Sequence, residues 1–250
     1  MSAWRGLELA LDPVAFARSV GVDPDPSQRR VLTSRSKRLL LCCTRQWGKS
    51  TVTALRAAHR AIYHRDSLIL CVSPSDRQSG LLFEKIAKYV RLAGMRRRED
   101  NKRSMTLDNG SRVVALPGSH ETIRGYSAPS MVLVDEAAYC DDSLFGAVGP
   151  MLAASNGEMA LFSSPYGKRG GFYEAWVDAS SDWERAMVPA TECPRISPEH
   201  LDAERRQMPE WLFRQEYMCE FVETIDSVFT SAQIESAIED FEPLFLEKTA

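Results

Sequence analysis

The segment from Leu39 to Leu55, LLLCCTRQWGKSTVTAL, ends its turn in GKST, the residues with which a phosphate-binding loop opens its helix. The amides at a helix start carry partial positive charge and face an anion. In such a setting Lys49 would reach the β- and γ-phosphates of a nucleotide, and the Ser50 hydroxyl would ligate Mg²⁺. The full pattern is GxxxxGK[ST], and Cys43 stands where its first glycine belongs. A small side chain is tolerable there if the backbone avoids the left-handed region. The expected cradle therefore runs through Cys43, Thr44, Arg45, Gln46, Trp47, Gly48, Lys49, Ser50 and Thr51.

A second stretch supplies acids. MVLVDE, from Met131 to Glu136, is four apolar residues followed by two adjacent carboxylates. Asp135 would hold Mg²⁺ through water, and Glu136 would polarise the attacking water as general base. Alone, this could be a strand ending in a solvated acidic turn, since AYCDD follows. Together with the phosphate loop it predicts ATP hydrolysis. A third stretch, MALFSSP, ends in Ser163 and Ser164, which suit either a sensor of the γ-phosphate or a plain Ser-Pro turn. Upstream, Gln28 in DPSQ could read an adenine edge, accepting from N6 and donating to N7, or could cap a helix.

The elements that would position these groups are legible in the apolar pattern. RLLLC (38–42) is a short apolar run, as in a strand buried on both faces. From Lys49 to Tyr63 apolar residues recur at three- and four-residue steps, predicting a helix. A further strand is expected at Ser67–Ser73 and a helix at Asp76–Leu92. SMTLD and SRVVAL read as a hairpin turning at Asn109-Gly110. A helix is expected near Val14–Val20, and two short ones in SPEHLDAERRQM and PEWLFRQEYMCEF, with Ser197 and Pro209 at their starts. The aromatics Trp211, Phe213, Tyr217 and Phe221 read as packing residues. Alternating strands and helices argue for an α/β fold, a mainly parallel sheet covered on both faces.

The chain has 250 residues, 44% of them hydrophobic, enough for one large α/β domain with a small appendage. It contains no apolar run long enough to span a membrane, and its N-terminus lacks the pattern of a signal peptide; a cytoplasmic location is expected. None of the six cysteines forms a CxxC pair, so buried free thiols are expected rather than disulfides or zinc. A formal net charge of −3 excludes polyanion binding by bulk composition. Local patches must carry any nucleic-acid contact. RLAGMRRREDNKR supplies Arg96, Arg97, Arg98, Lys102 and Arg103, and YGKRGGF supplies Lys168 and Arg169. Both suit grip on a phosphate backbone, and both suit a solvated loop or helix end.

Together DPSQ, CTRQWGKST, IRGYSAPSMVLVDEAAY and LFSSP resemble the ATPase domain of the large terminase subunit of tailed bacteriophages, over residues 20 to 230. That family often replaces the first glycine of the loop and carries an RQ pair within it, as Arg45-Gln46 does here. The resemblance implies a P-loop NTPase of the additional-strand, catalytic-glutamate type, with a core over 1–190 and a lid and tail over 191–250. WLFRQEYMCEFVETIDSVF (211–229) is similar to the family's lid, while FEPLFLEKTA reads as a linker or an ordered tail. The resemblance further implies that Arg124 is a finger acting on a neighbouring subunit's γ-phosphate, that Arg45 sits over the phosphates, that Ser163 and Ser164 couple hydrolysis to lid movement, and that Gln28 reads adenine. Implied cofactors are ATP and Mg²⁺. Implied partners are double-stranded DNA, the portal protein, the small terminase subunit and further copies in a pentameric ring, with a monomer as the isolated form, in the host cytoplasm. The family's nuclease domain is expected to be absent from this chain, which would not cut DNA. Two other readings remain at this point: a helicase-like DNA-dependent ATPase, and a nucleotide-binding scaffold with little turnover.

Overall fold

The computed structural model describes residues 3–118, 120–223 and 236–237. In chain order the elements are α1 (Ala3–Leu11), α2 (Pro13–Ser19), α3 (Pro26–Thr33), β1 (Arg38–Cys43), α4 (Lys49–Tyr63), β2 (Leu68–Ser73), α5 (Asp76–Leu92), β3 (Arg97–Asp100), β4 (Ser104–Leu107), β5 (Arg112–Pro117), α6 (His120–Arg124), β6 (Met131–Asp135), α7 (Asp142–Ala153), β7 (Glu158–Ser163), α8 (Gly170–Val177), β8 (Glu184–Val188), α9 (Pro198–Gln207) and α10 (Glu210–Glu216).

The strands form one sheet in the order β3-β4-β5-β2-β6-β7-β1-β8. From β5 to β8 every pairing is parallel, whereas β3, β4 and β5 pair antiparallel at the edge. The strand β7 lies between β1, which leads into the phosphate loop, and β6, which delivers the carboxylates. That inserted strand is the additional one of the expected fold class.

Strand alternation explains why these apolar runs are buried on both sides. Leu39, Leu41 and Cys43 of β1 join a core with α2 to α5, while Leu40 and Cys42 join a second core with α7 and α8. Ile69 and Cys71 of β2 share the first core, and Leu70 and Val72 the second. Each fully buried leucine or isoleucine contributes roughly 1.5–3 kcal/mol, so both faces hold the strand ends in place.

Helix starts follow local chemistry. Asp25 caps α3, accepting from the Gln28 amide, while the Gln28 side chain accepts from the Asp25 amide, a complete capping box. Ser75 and Ser197 cap α5 and α9 through their hydroxyls.

Several sequence expectations change. The basic stretch before the hairpin is not a loop or helix end: Arg97–Asp100 pairs with β4, which extends the hairpin to three strands. The apolar spacing of Trp4, Leu7 and Leu11 marks α1, a helix that was not expected. The last lid helix stops at Glu216, so Tyr217 and Phe221 pack from the chain beyond it. Residues 224–229 of the lid-like segment and the tail from 241 to 250 lie outside the described residues.

Candidate active site

The loop between β1 and α4 resolves the missing glycine. Cys43 is the last residue of β1 and stands opposite Val188 of β8. Its backbone is ordinary strand, so a Cβ is accommodated and glycine is not needed. Gly48 is different: φ is +95° at the N-cap of α4, and an added Cβ would stand 3.0 Å from the Gln28 side-chain nitrogen. Only glycine suits that position. Gln46 also adopts a left-handed backbone, φ 64°.

Lys49, the first residue of α4, is 8% exposed and folds back over the loop. Its ammonium donates to the Cys43 carbonyl at 3.5 Å and pairs with Glu136 Oε1 at 3.7 Å. The carboxyl end of β6 therefore meets the loop across β7. Glu136 has φ 51°, ψ 47°, a left-handed conformation that costs a non-glycine residue of the order of 1–3 kcal/mol. That turn aims its carboxylate at Lys49, and Ser163 at the end of β7 donates to its Oε2 at 3.4 Å. Ser164 is 1% exposed beside it. Glu136 thus contacts both Lys49 and Ser163, although the three are far apart in the chain.

Asp135 is buried, and its Oδ1 accepts from the Glu136 amide at 3.0 Å. Burial, then the adjacent Glu136 charge, push its pKa up to about 6, with Lys49 pulling the other way. A buried carboxylate short of positive charge is a fitting ligand for a divalent cation. Ser50, the second residue of α4, lines the same cleft as Asp135 and Glu136. This donor set fits Mg²⁺.

Gln28 lies against the loop, 5% exposed. Its Nε2 donates to the Trp47 carbonyl at 2.8 Å and its Oε1 accepts from the Asp25 amide at 3.1 Å. Each end of the amide thus has one structural bond and one remaining valence for a base edge. Trp47 is fully buried and donates Nε1–H to the Ser27 hydroxyl at 2.9 Å. Arg195 bonds the Trp47 carbonyl and pairs with Asp25 at 3.0 Å. Burial opposes ionisation of Asp25, but hydrogen bonds from Ser27, the Gln28 amide and Arg195 outweigh it and hold the pKa low.

The segment after β8 is tied to the same loop. Thr44 Oγ1 donates to the Glu216 carbonyl at 3.0 Å, and the Ala190 amide donates to the Tyr217 carbonyl at 2.7 Å. The Arg45 guanidinium pairs with the Glu216 carboxylate at 2.5 Å. Asp25, Arg195 and Glu216 were not singled out from sequence. Only Asp25 left a signal there, as the capping residue of DPSQ.

Other expected residues are not gathered here. Arg124 ends α6, is exposed, and does not line the cleft of its own chain. Arg98 pairs with Asp108 at 3.3 Å, and Arg103 pairs with Asp76 while covering Gly80. Arg97 lies in β3, and Arg96 and Lys102 are exposed. Lys168 pairs with Glu223 at 3.7 Å, and Arg169 stacks over Tyr166 at 4.7 Å. Arg98, Arg103, Lys168 and Arg169 thus already hold carboxylates or an aromatic ring.

The family described as "Terminase large subunit, T4likevirus-type, N-terminal" matches residues 41–236. The terminase large subunit of Thermus virus P23-45 is 25% identical, over 86% of this chain and 52% of its own length. The chain therefore spans about half the length of the curated relatives it matches. Among solved structures, the large terminase ATPase domain of Thermus phage P74-26 superposes with a TM-score of 0.72 at 22% identity, covering 83% of this chain and 97% of that one. A large terminase from a thermophilic bacteriophage, solved in complex with ADP, gives 0.66 at 12% identity, covering 79% and 53%.

Proposed function

The chain belongs to the family of terminase large-subunit N-terminal domains, and from that premise we propose that it is the ATP-hydrolysing part of a motor that drives double-stranded DNA into a viral procapsid. The observation that carries this reading is the position of the Glu136 carboxylate, 3.7 Å from the Lys49 ammonium and 3.4 Å from the Ser163 hydroxyl in the chain's own fold. A pure nucleotide binder has no need of a general base held against the phosphate lysine, which argues against a scaffold.

In the reaction, the amides at the start of α4 and Lys49 hold the β- and γ-phosphates. Mg²⁺, held by Ser50 and Asp135, would neutralise charge on those phosphates. Glu136 orients a water and accepts its proton as the water oxygen attacks the γ-phosphorus; the bond to the β-phosphate oxygen breaks, leaving ADP and phosphate. Nucleotide must draw Lys49 from Glu136, which frees the base for water. Ser163, bonded to the same carboxylate, would carry the change along β7, and Thr44 and Arg45 would carry it to the lid.

Arg124 would act on a neighbour's site, consistent with its exposure away from its own cleft. Arg96 and Lys102 would offer the edge strands to DNA phosphates, whereas Arg97, Arg98, Arg103, Lys168 and Arg169 would first have to leave their present partners. A ring of such subunits, five in the assembled motor, would multiply weak phosphate contacts. The portal protein and small subunit would be further partners, in the host cytoplasm. The core over 1–190 would bind the nucleotide, and the segment from 191 would move with it.

The decisive experiment measures hydrolysis and ATP binding for wild type and Glu136→Gln. Retained binding with a loss of about 10²–10⁴ in turnover supports the reading. Equal turnover in the two proteins would overturn it.

A further inference from the structure

The cleft beside Ser50, Asp135 and Glu136 has a volume of about 930 Å³ and extends between α4 and α5 as far as Asn101 and Lys102, in the turn between β3 and β4. Away from Asp135 and Glu136 its lining carries four cations and one further carboxylate, Glu84. Lys85, Lys88 and Arg91 recur at three-residue steps on α5, which puts them on one side of that helix, and Lys102 lies across from them. None of these four takes part in the nucleotide chemistry described above.

Lys85 is half-buried, and among the described residues it has no ion-pair or hydrogen-bond partner; its electrostatic neighbours are Asp135 and Lys88. Burial lowers its pKa, with the Asp135 charge pulling the other way and Lys88 adding to the fall. An ammonium in that position gains from an anion placed next to it. A second group close by lacks a partner. The Ser73 hydroxyl at the end of β2 is fully buried and unbonded among the described residues. Val72 stands beside Val134, so Ser73 and Asp135 lie abreast at the carboxyl ends of neighbouring strands. On the other side of the loop, Gln28, Trp47, Arg195 and the lid fill the space. The cleft along α5 is the open side.

We propose that Lys85, flanked by Lys88 and Lys102, binds the inorganic phosphate released from ATP, and that the cleft between α4 and α5 is its route out of the site. The proposal rests on the ATPase reading. It concerns the second product, a phosphate with a charge of nearly −2 after the bond to ADP breaks, which gains from cations along its way out of the site.

The test is equilibrium dialysis with radiolabelled inorganic phosphate in the presence of saturating ADP and Mg²⁺, using wild type, Lys85→Met and Lys85→Arg. Titration with a fluorescent ADP analogue and with a short DNA duplex accompanies it, and thermal melting checks the fold. The expected result is saturable phosphate binding by wild type, roughly tenfold weaker in Lys85→Met and largely restored in Lys85→Arg, with ADP and DNA affinity unchanged. Phosphate binding that is unaffected by Lys85→Met overturns the proposal. So does a loss confined to DNA affinity, which would assign these cations to backbone phosphates instead. Wild type that binds ADP and no phosphate also overturns it while leaving the ATPase reading intact; wild type that binds no ADP would defeat that reading itself.

Discussion

The Arg45 guanidinium lies 2.5 Å from the Glu216 carboxylate, so the phosphate loop and the last turn of α10 are joined by a charged contact. The two ends differ: the Arg45 side chain is 70% exposed and Glu216 only 15%. Arg45 can swing to another anion at little cost, whereas Glu216 stays in place. An ATP phosphate is such an anion. The contact therefore contributes little to stability and much to the position of the arginine. Glu216→Gln is expected to change stability by no more than about 1 kcal/mol. It should also tighten ATP binding several-fold relative to ADP, because Arg45 is released. Paired thermal melts and nucleotide titrations check both halves; unchanged ATP affinity would detach Arg45 from the phosphates.

Lys49→Ala removes the cation facing Glu136. Nucleotide affinity should fall by roughly 10²-fold or more, since Lys49 is the buried cation of the loop and its charge-assisted bonds to phosphate oxygens are lost. The metal-free fold should survive, because Glu136 is part-exposed and water can take over its contact. Circular dichroism and nucleotide titration separate the two effects.

Asp135 predicts a pH dependence of the metal-free protein. Its folded pKa is about 6, above the ordinary carboxylate value of 3.8. Between those values the folded state holds a proton that the unfolded state has lost, so this group's contribution favours folding at low pH and declines as pH rises through 6. A shift of about two units corresponds to about 3 kcal/mol at most. Asp135→Asn should therefore raise the melting temperature at pH 7.5 without Mg²⁺ and change it little near pH 4. Wild type should gain more from added Mg²⁺ at pH 7.5 than at pH 5, because the metal competes with that proton.

Arg124 and Glu136 would belong to different halves of a shared site. Arg124→Ala and Glu136→Gln are each expected to be nearly inactive and to recover partial hydrolysis when mixed at concentrations that support assembly. Activity of wild type should rise more steeply than linearly with concentration. Additive inactivity in the mixture would mean that Arg124 does not act across an interface.

Gln28 links the α3 cap to the Trp47 carbonyl. Gln28→Ala should cost about 1 kcal/mol from the lost capping-box bond and from one of the two hydrogen bonds to the Trp47 carbonyl, which Arg195 still satisfies. If the spare valences of its amide also read adenine, the variant loses preference for ATP over GTP. Competition between the two nucleotides measures this without reference to stability.

The elements that hold the site were legible wherever the apolar period was unambiguous. The ranges 49–63 and 76–92 were read as helices and are α4 and α5. The basic stretch around Arg97 was misread because it carries no apolar alternation; it becomes a strand by pairing with Thr106 and Leu107. Strands that depend on a neighbour for their hydrogen bonds show least in local sequence.

By itself the sequence determined the chemistry: a lysine and serine at a helix start, two carboxylates at a strand end, and serines at another. These are local signals, set by residue type and by the dihedral preferences of a few neighbours. The tertiary structure decided how they are used. Only strand order brings Glu136 and Ser163 together by inserting β7 between β6 and β1. The packing of the segment after β8 alone places Glu216 against Arg45, and the packing of α5 on α4 alone leaves Lys85 beside Asp135. The first two contacts join residues separated by 27 and 171 positions, and Lys85 and Asp135, 50 apart, line one cleft. They depend on burial of two shared cores, which no short stretch of sequence encodes.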